Sequence, residues 1–150
     1  MDKPDTIPEK CAFCKVICGA TPVDKVYEDE RVLAFLYLSP VNKGHILVVP
    51  KQHYNGPTQM PPDEWSYLMV KAAELAAGSM RATKSEAYNL LVGNGASAGQ
   101  IVPHLCVHVI PRLADDGVAL PAREAGFDSE AEKTEVIAKI RRRMSRHHKL

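Results

Sequence analysis

Residues 103–112 read PHLCVHVIPR. In an extended chain alternate side chains share a face, so His104, Cys106 and His108 line up together. Imidazole, thiol and imidazole in a row on an otherwise apolar strand are not core packing. They are groups that ligate metals, relay protons or attack electrophiles. A second cluster stands upstream. CAFC at 11–14 is a Cys-x-x-Cys, a spacing that places two thiolates on one tetrahedral metal. A redox dithiol has the same spacing, but no βαβ pattern surrounds this one, and a redox role leaves the histidines unexplained. A zinc needs two further ligands. His147 and His148 lie in the terminal tail and His45 begins a buried strand, which leaves His53, His104 and His108. His53, after the HILVVP strand, and His104, on the other strong strand, are the favoured pair. Either alone reads as an ordinary satisfied histidine; with the Cys-x-x-Cys they read as zinc ligands.

The elements that must position these groups follow from the pattern. Residues 25–38, KVYEDERVLAFLYL, hold two β-rich runs around Glu28, Asp29 and Glu30 and predict a hairpin. SPVNKG at 39–44 is a turn, and HILVVP at 45–50 a buried strand closed by Pro50. From Pro62 to about Thr83, Trp65, Leu68, Met69, Ala72, Ala76 and Met80 recur at three- and four-residue steps, with Asp63 and Glu64 in the first turn, so a helix is expected. Tyr88 to Val92 predicts a short strand, 93–99 a glycine-rich loop, and 101–110 the strand that carries the three chemical groups. A last helix runs from about Ser129 to Met144. Ser129 and Glu132 form a capping box at its start, and Arg141, Arg142, Arg143 and Arg146 sit at the negative end of its dipole. Residues 1–10 read as a loose arm. The class is α+β, with a mostly antiparallel sheet of about five strands, one long central helix and a C-terminal helix, in a single domain over 1–150 that ends in a helix and basic tail from about 128.

Composition narrows the function. At 45% hydrophobic and 25% charged residues the chain is globular in character, and a net charge of +1 gives no argument for nucleic acid or an acidic membrane surface. The basic tail is read as a solvated helix end. No apolar run is long enough to span a bilayer, and the charged, proline-containing start has no signal-peptide core. Four cysteines without an export signal point to reduced thiols and a cytoplasmic setting, where metal binding or catalysis outranks disulfides.

The run CAFCKVICGATPVDKVYEDERVLAFL resembles the N-terminal part of histidine triad (HIT) proteins, and LSPVNKGHILVVPKQH that family's central hairpin and strand. GNGASAGQIVPHLCVHVIPR resembles its signature: a glycine-rich loop, Gly-Gln, then His-x-His-x-His and two apolar residues. The resemblance implies a structural zinc on Cys11, Cys14, His53 and His104, with no open coordination position. It implies that the loop backbone, Asn94, Gly99, Gln100 and His108 hold the α-phosphate of a purine nucleotide or nucleotide derivative. Gly93, Gly95 and Gly99 suit that role, because glycine lets backbone N–H groups approach an anion closely. It implies a homodimer, and a hydrolase or nucleotidyltransferase acting on nucleoside phosphoramidates, adenylates or dinucleoside polyphosphates. Position 106 would carry the nucleotidyl-enzyme intermediate, with Gln100 and His108 beside it.

Position 106 departs from the pattern: the family's nucleophile is histidine, and here it is Cys106. A neutral imidazole attacks phosphorus directly, whereas a thiol must first lose its proton, for which His108 could act as cation or base. Sulfur also reaches less far from the backbone than the remote imidazole nitrogen, and a displacement of about 1 Å can cost on the order of a hundredfold in rate. Several readings stay open: an active enzyme with an exchanged nucleophile, a nucleotide pocket without rapid turnover, a single natural or engineered substitution in an intact site, a competitor for the zinc, or a small buried hydrophobe. A second departure is Tyr37, where many members carry an acidic residue for the ribose hydroxyls. It either recognises the nucleoside differently, since a phenol cannot accept bidentately from a diol, or packs beside Phe35.

Overall fold

A computed structural model describes residues 11–119 and 125–147; the arm expected at 1–10 and the last three residues of the tail lie outside them. The chain divides into two compact units, Met1–Asp116 and Gly117–Leu150. The first holds a short helix α1 (Ala12–Ile17), strands β1 (Lys25–Glu28), β2 (Val32–Leu36) and β3 (Ile46–Pro50), helix α2 (Pro62–Thr83), and strands β4 (Ala87–Leu91) and β5 (Val107–Arg112). The sheet order is β1-β2-β3-β5-β4 and every pairing is antiparallel. The expected class, hairpin, buried strand and long helix are all present.

The sheet is covered on both faces, which explains why β2 and β3 read as unbroken apolar runs instead of alternating ones. Val32, Ala34, Ile46, Val48, Val107 and Val109 face α2 and meet its buried stripe of Leu68, Ala72 and Ala76. The alternate residues Leu33, Phe35, Leu47 and Val49 face the other way and pack with Val16 and Phe13 of α1, and with Cys106. Chemistry is therefore confined to the α1 face, at the end where β3 and β5 lie side by side. Helix α2 stops at Lys84, which adopts the left-handed conformation (φ 57°). Gly44, in the turn before β3, has φ +81°, and a Cβ there would lie 2.5 Å from Ser79 Oγ. Ser79 instead donates to the Gly44 carbonyl at 2.8 Å, fastening the turn to α2.

Two expectations need correction. The strand predicted over 101–110 begins only at Val107, and 101–106 is irregular. Pro103 has no N–H to give a ladder, and His104 is instead held by its side chain: Nε2 donates to the Pro50 carbonyl at 2.8 Å, while Leu105 N–H donates to Tyr54 O at 2.6 Å. His104, Cys106 and His108 do face the same cavity, but only His108 does so from a regular strand. The sequence reading also had no helix at 11–17, where Cys11 is the N-cap of α1.

In the second unit, helix α3 (Glu130–His147) matches the expected C-terminal helix and extends beyond Met144. Glu132 N–H donates to Ser129 Oγ at 3.1 Å and the Glu132 carboxylate accepts from Asp128 N–H at 2.7 Å, a capping box whose return bond falls one residue earlier than the standard form.

Candidate active site and metal centre

The Cys-x-x-Cys enters the fold at a helix start. Cys11 caps α1, its sulfur accepting from Cys14 N–H at 3.4 Å, so both thiols face the same side one turn apart. His104 Nδ1 lies 3.5 Å from Cys11 Sγ and 3.6 Å from Cys14 Sγ, and His53 Nδ1 lies 3.3 Å from Cys14 Sγ. All four ligand atoms fall within 4.8 Å of one another. Ligands about 2.0 to 2.3 Å from a tetrahedral zinc are separated by roughly 3.3 to 3.8 Å, a spacing the three sulfur–nitrogen distances above already match. The imidazoles are oriented for it as well. His104 Nε2–H is spent on the Pro50 carbonyl and His53 Nε2 faces Asn55 Oδ1 at 3.1 Å, so both rings turn an unprotonated Nδ1 to the sulfurs. Burial holds His104 down to about 4 and pushes Cys14 up to about 12, with Cys11 adding to the latter. A cation would reverse that preference by drawing the protons off the thiols. The donor set fits a structural zinc: two thiols and two neutral imidazoles, three of the four buried.

Beside this centre opens a cavity of about 330 Å³ on the α1 face of the sheet. Its lining brings together Tyr37, Gly99, Gln100, Cys106 and His108, all expected to form the site. It also brings in His45, which sequence reasoning set aside as the start of a buried strand. His45 Nδ1 accepts from Val41 N–H at 3.1 Å, so its proton sits on Nε2, and Nε2 lies 3.0 Å from His108 Nδ1. That bond makes His108 Nδ1 the acceptor and places the remaining His108 proton on Nε2. Burial, with His108 next to it, lowers His45 to about 4, and burial lowers His108 too, so both rings stay neutral near pH 7. The signal that could have found His45 was an ionisable group opening an otherwise apolar strand, since a buried imidazole needs a partner.

Tyr37 stands edge-on to both rings, 4.9 Å from His45 and 5.7 Å from His108 between centroids, and closes that wall of the cavity. Phe35 pairs with Phe13 at 5.9 Å, and Phe13 in turn stands 5.8 Å edge-on to His104. Cys106 lines the cavity; its thiol is pushed up to about 12 by burial, against a hydrogen bond from the Val48 backbone. Cys106 is also outside the four-ligand cage, which leaves Cys11, Cys14, His53 and His104 as the metal set.

The glycine-rich loop folds as a single 3-10 turn, Ala96–Ala98, between Gly95 (φ 94°) and Gly99 (φ 85°), two positive-φ conformations that favour glycine. The Gly99 amide donates to Ala96 O and the Gln100 amide to Gly95 O, so both are engaged within the loop. Gln100 holds the loop from its side chain, accepting from Gly95 N–H at 2.8 Å. Asn94 is in the same loop, but its carboxamide is turned onto Gly56 and away from the cavity lining. Cys18 is exposed at the end of α1, its thiol near the Lys15 carbonyl at 3.4 Å. No described helix is long and apolar enough to cross a membrane.

Comparison with known proteins gives a consistent set of matches. A sequence model of the HIT domain matches residues 19–115. An adenylylsulfatase of Arabidopsis thaliana is 34% identical over 141 residues, covering 93% of this chain and 72% of the plant protein. An adenosine 5'-monophosphoramidase of Saccharomyces cerevisiae is 34% identical over 144 residues, covering 93% of this chain and 89% of the yeast protein. A crystal structure of a zinc-bound histidine triad family protein from Mycobacterium smegmatis superposes with a TM-score of 0.70 at 28% identity, over 87% of this chain and 95% of the other.

Proposed function

The chain belongs to the HIT domain family, and on that premise we propose that it binds purine nucleotides and acts at the α-phosphate of adenylyl compounds as a hydrolase or nucleotidyltransferase. The two relatives named for activities act, by those names, on an adenylyl sulfate and an adenosine monophosphoramidate, compounds that share an adenylyl group and differ in the leaving group. The observation that carries the proposal is the convergence of Cys106, His108 and Gln100 in one cavity, with His45 fixing the tautomer of His108.

In this reading His108 presents Nε2–H to a phosphate oxygen, with the Gly99–Gln100 loop holding the α-phosphate from the other side and Tyr37 beside the nucleoside. Position 106 attacks phosphorus in line. A phosphorus–sulfur bond forms as the phosphorus–leaving-group bond breaks, and the leaving group departs with that electron pair and takes up the proton the thiol gives up. Water then cleaves the phosphorus–sulfur bond and returns the thiol. Two thiolates and two imidazoles would hold a zinc with every position filled, so its part is to tie α1 to the sheet. We propose also that the protein works as a homodimer of single-domain chains; the exposed edge strand β4, with Tyr88 and Leu91 open, supports an assembly that covers it.

Following AMP release from adenosine 5'-phosphoramidate tests the enzyme reading. Release above the protein-free background is expected. Background turnover by this chain, together with turnover in Cys106→His, overturns it for Cys106 as the nucleophile. The raised thiol pKa favours a second reading, a nucleotide-binding module with negligible turnover, and a nucleotidyl adduct on Cys106 in the intact mass would exclude that one.

A further inference from the structure

The metal cage and the glycine-rich loop meet through one residue that neither the sequence motifs nor the family resemblance singled out. His53, a cage ligand, donates Nε2–H to Asn55 Oδ1 at 3.1 Å. The carbonyl of the same Asn55 accepts from Gln100 Nε2 at 2.8 Å, and Gln100 Oε1 accepts Gly95 N–H at 2.8 Å inside the loop. Gln100 Nε2 also reaches the carbonyl of His104, the second imidazole ligand, at 3.5 Å. Both histidine-bearing segments of the cage therefore grip the one side chain that fastens the loop. A steric contact reinforces them: a Cβ on Gly56 would collide with the Asn94 carboxamide, so loop and segment 53–56 touch with no room for a side chain. Asn55 is itself braced, its N–H donating to Gln59 Oε1 at 2.9 Å.

We propose that Asn55 is a positioning residue that couples metal occupancy to nucleotide binding. The inference rests on the nucleotide reading above and adds a regulation to it. Filling the cage fixes the His53 ring, and with it the Asn55 side chain; the Asn55 carbonyl then holds Gln100 and, through it, the loop that grips the α-phosphate. Emptying the cage frees the His53 ring to rotate and removes the constraint on Asn55. Because coupling between two binding sites is reciprocal, AMP must raise zinc affinity by the same factor by which zinc raises AMP affinity.

Asn55→Ala removes the acceptor for His53 while keeping the backbone carbonyl, whereas Asn55→Asp keeps an acceptor oxygen. Calorimetric titration of AMP into the native chain, with and without zinc, should give at least tenfold tighter binding in the loaded protein. Chelator competition should find zinc affinity raised by the same factor when AMP is saturating. Zinc-loaded Asn55→Ala should bind AMP about tenfold more weakly than the native protein, and zinc-loaded Asn55→Asp within about twofold of it. With cobalt in the cage, AMP should shift the ligand-field absorption of the native protein and leave that of Asn55→Ala unmoved. Equal AMP affinity with and without zinc, with zinc affinity unchanged by AMP, overturns the coupling while leaving the nucleotide site standing. Native affinity for AMP in zinc-loaded Asn55→Ala overturns Asn55 as the link. Absence of AMP binding to the loaded native protein overturns the nucleotide reading itself.

Discussion

The His45–His108 pair makes a quantitative demand on how stability responds to acid. His45 is held down to about 4 in the folded protein by burial and by its neighbour, against about 6.5 for a solvated imidazole in the unfolded chain. The sign follows: below 6.5 the unfolded chain takes up a proton that the folded chain refuses, so stability is intact above that value and is lost as pH falls toward 4. One pH unit inside this window costs about 1.4 kcal/mol per group, and integration from pH 7.5 to pH 5.0 gives about 2 kcal/mol for His45 alone. Replacing His45 with Gln removes the titrating group, while its carboxamide can still donate toward His108. Urea unfolding of both proteins at pH 7.5 and 5.0, with zinc present throughout, isolates the effect, because proton competition at the metal ligands is common to both and cancels in the difference. The native protein should lose about 2 kcal/mol more than His45→Gln over this interval. Equal losses would mean that His45 is protonated in the fold, and the proton order Val41 to His45 to His108 would have to be abandoned.

Three further outcomes follow from the same geometry. Nitrogen-15 spectra of the imidazoles at pH 7.5 should show His45, His104 and His108 as Nε2–H tautomers; an Nδ1–H signal from His108 would place its lone pair, not its proton, in the cavity. Zinc removal should lower the melting temperature, since metal bound only to the folded state adds about 4 kcal/mol at a free concentration a thousandfold above its dissociation constant; a melt indifferent to chelation would refute a structural metal. Asp29 accepts Tyr27 and Tyr67 hydroxyls at 2.7 and 2.5 Å and two backbone N–H groups at 2.8 Å, which together hold its carboxyl far below the usual range despite burial. Asp29→Ala strands four donors and should cost about 3 kcal/mol of unfolding free energy, read from the urea midpoint.

Legibility tracked how locally each feature is encoded. Helix α2 was readable because Leu68, Ala72 and Ala76 form a buried stripe at helical spacing, with Asp63 and Glu64 marking its first turn. The hairpin and β3 were readable because runs of β-branched and aromatic residues end at turn signals. Both secondary-structure failures lie at the metal. Helix α1 has six residues, too few to show a period, and its start is capped by a thiol, outside the usual capping types. The segment before β5 alternates like a strand, yet Pro103 and the tertiary anchors of His104 pull it off the ladder. Chemistry there overrides propensity, and only the three-dimensional partners of His104 reveal it.

Those partners also sharpen the question posed by Cys106. If position 106 belonged to a site in decay, the parts that serve only phosphate chemistry should have drifted with it. In this chain they are in place: the buried donor His45 fixes the tautomer of His108, Gln100 fastens the loop, and both loop positions with positive φ are glycine. Keeping a neutral, buried His45 against a half-buried His108 costs stability in acid. On the reading proposed above, a site with such a pair beside Cys106 is suited to bind an anionic phosphate, whatever the rate at which sulfur then attacks it.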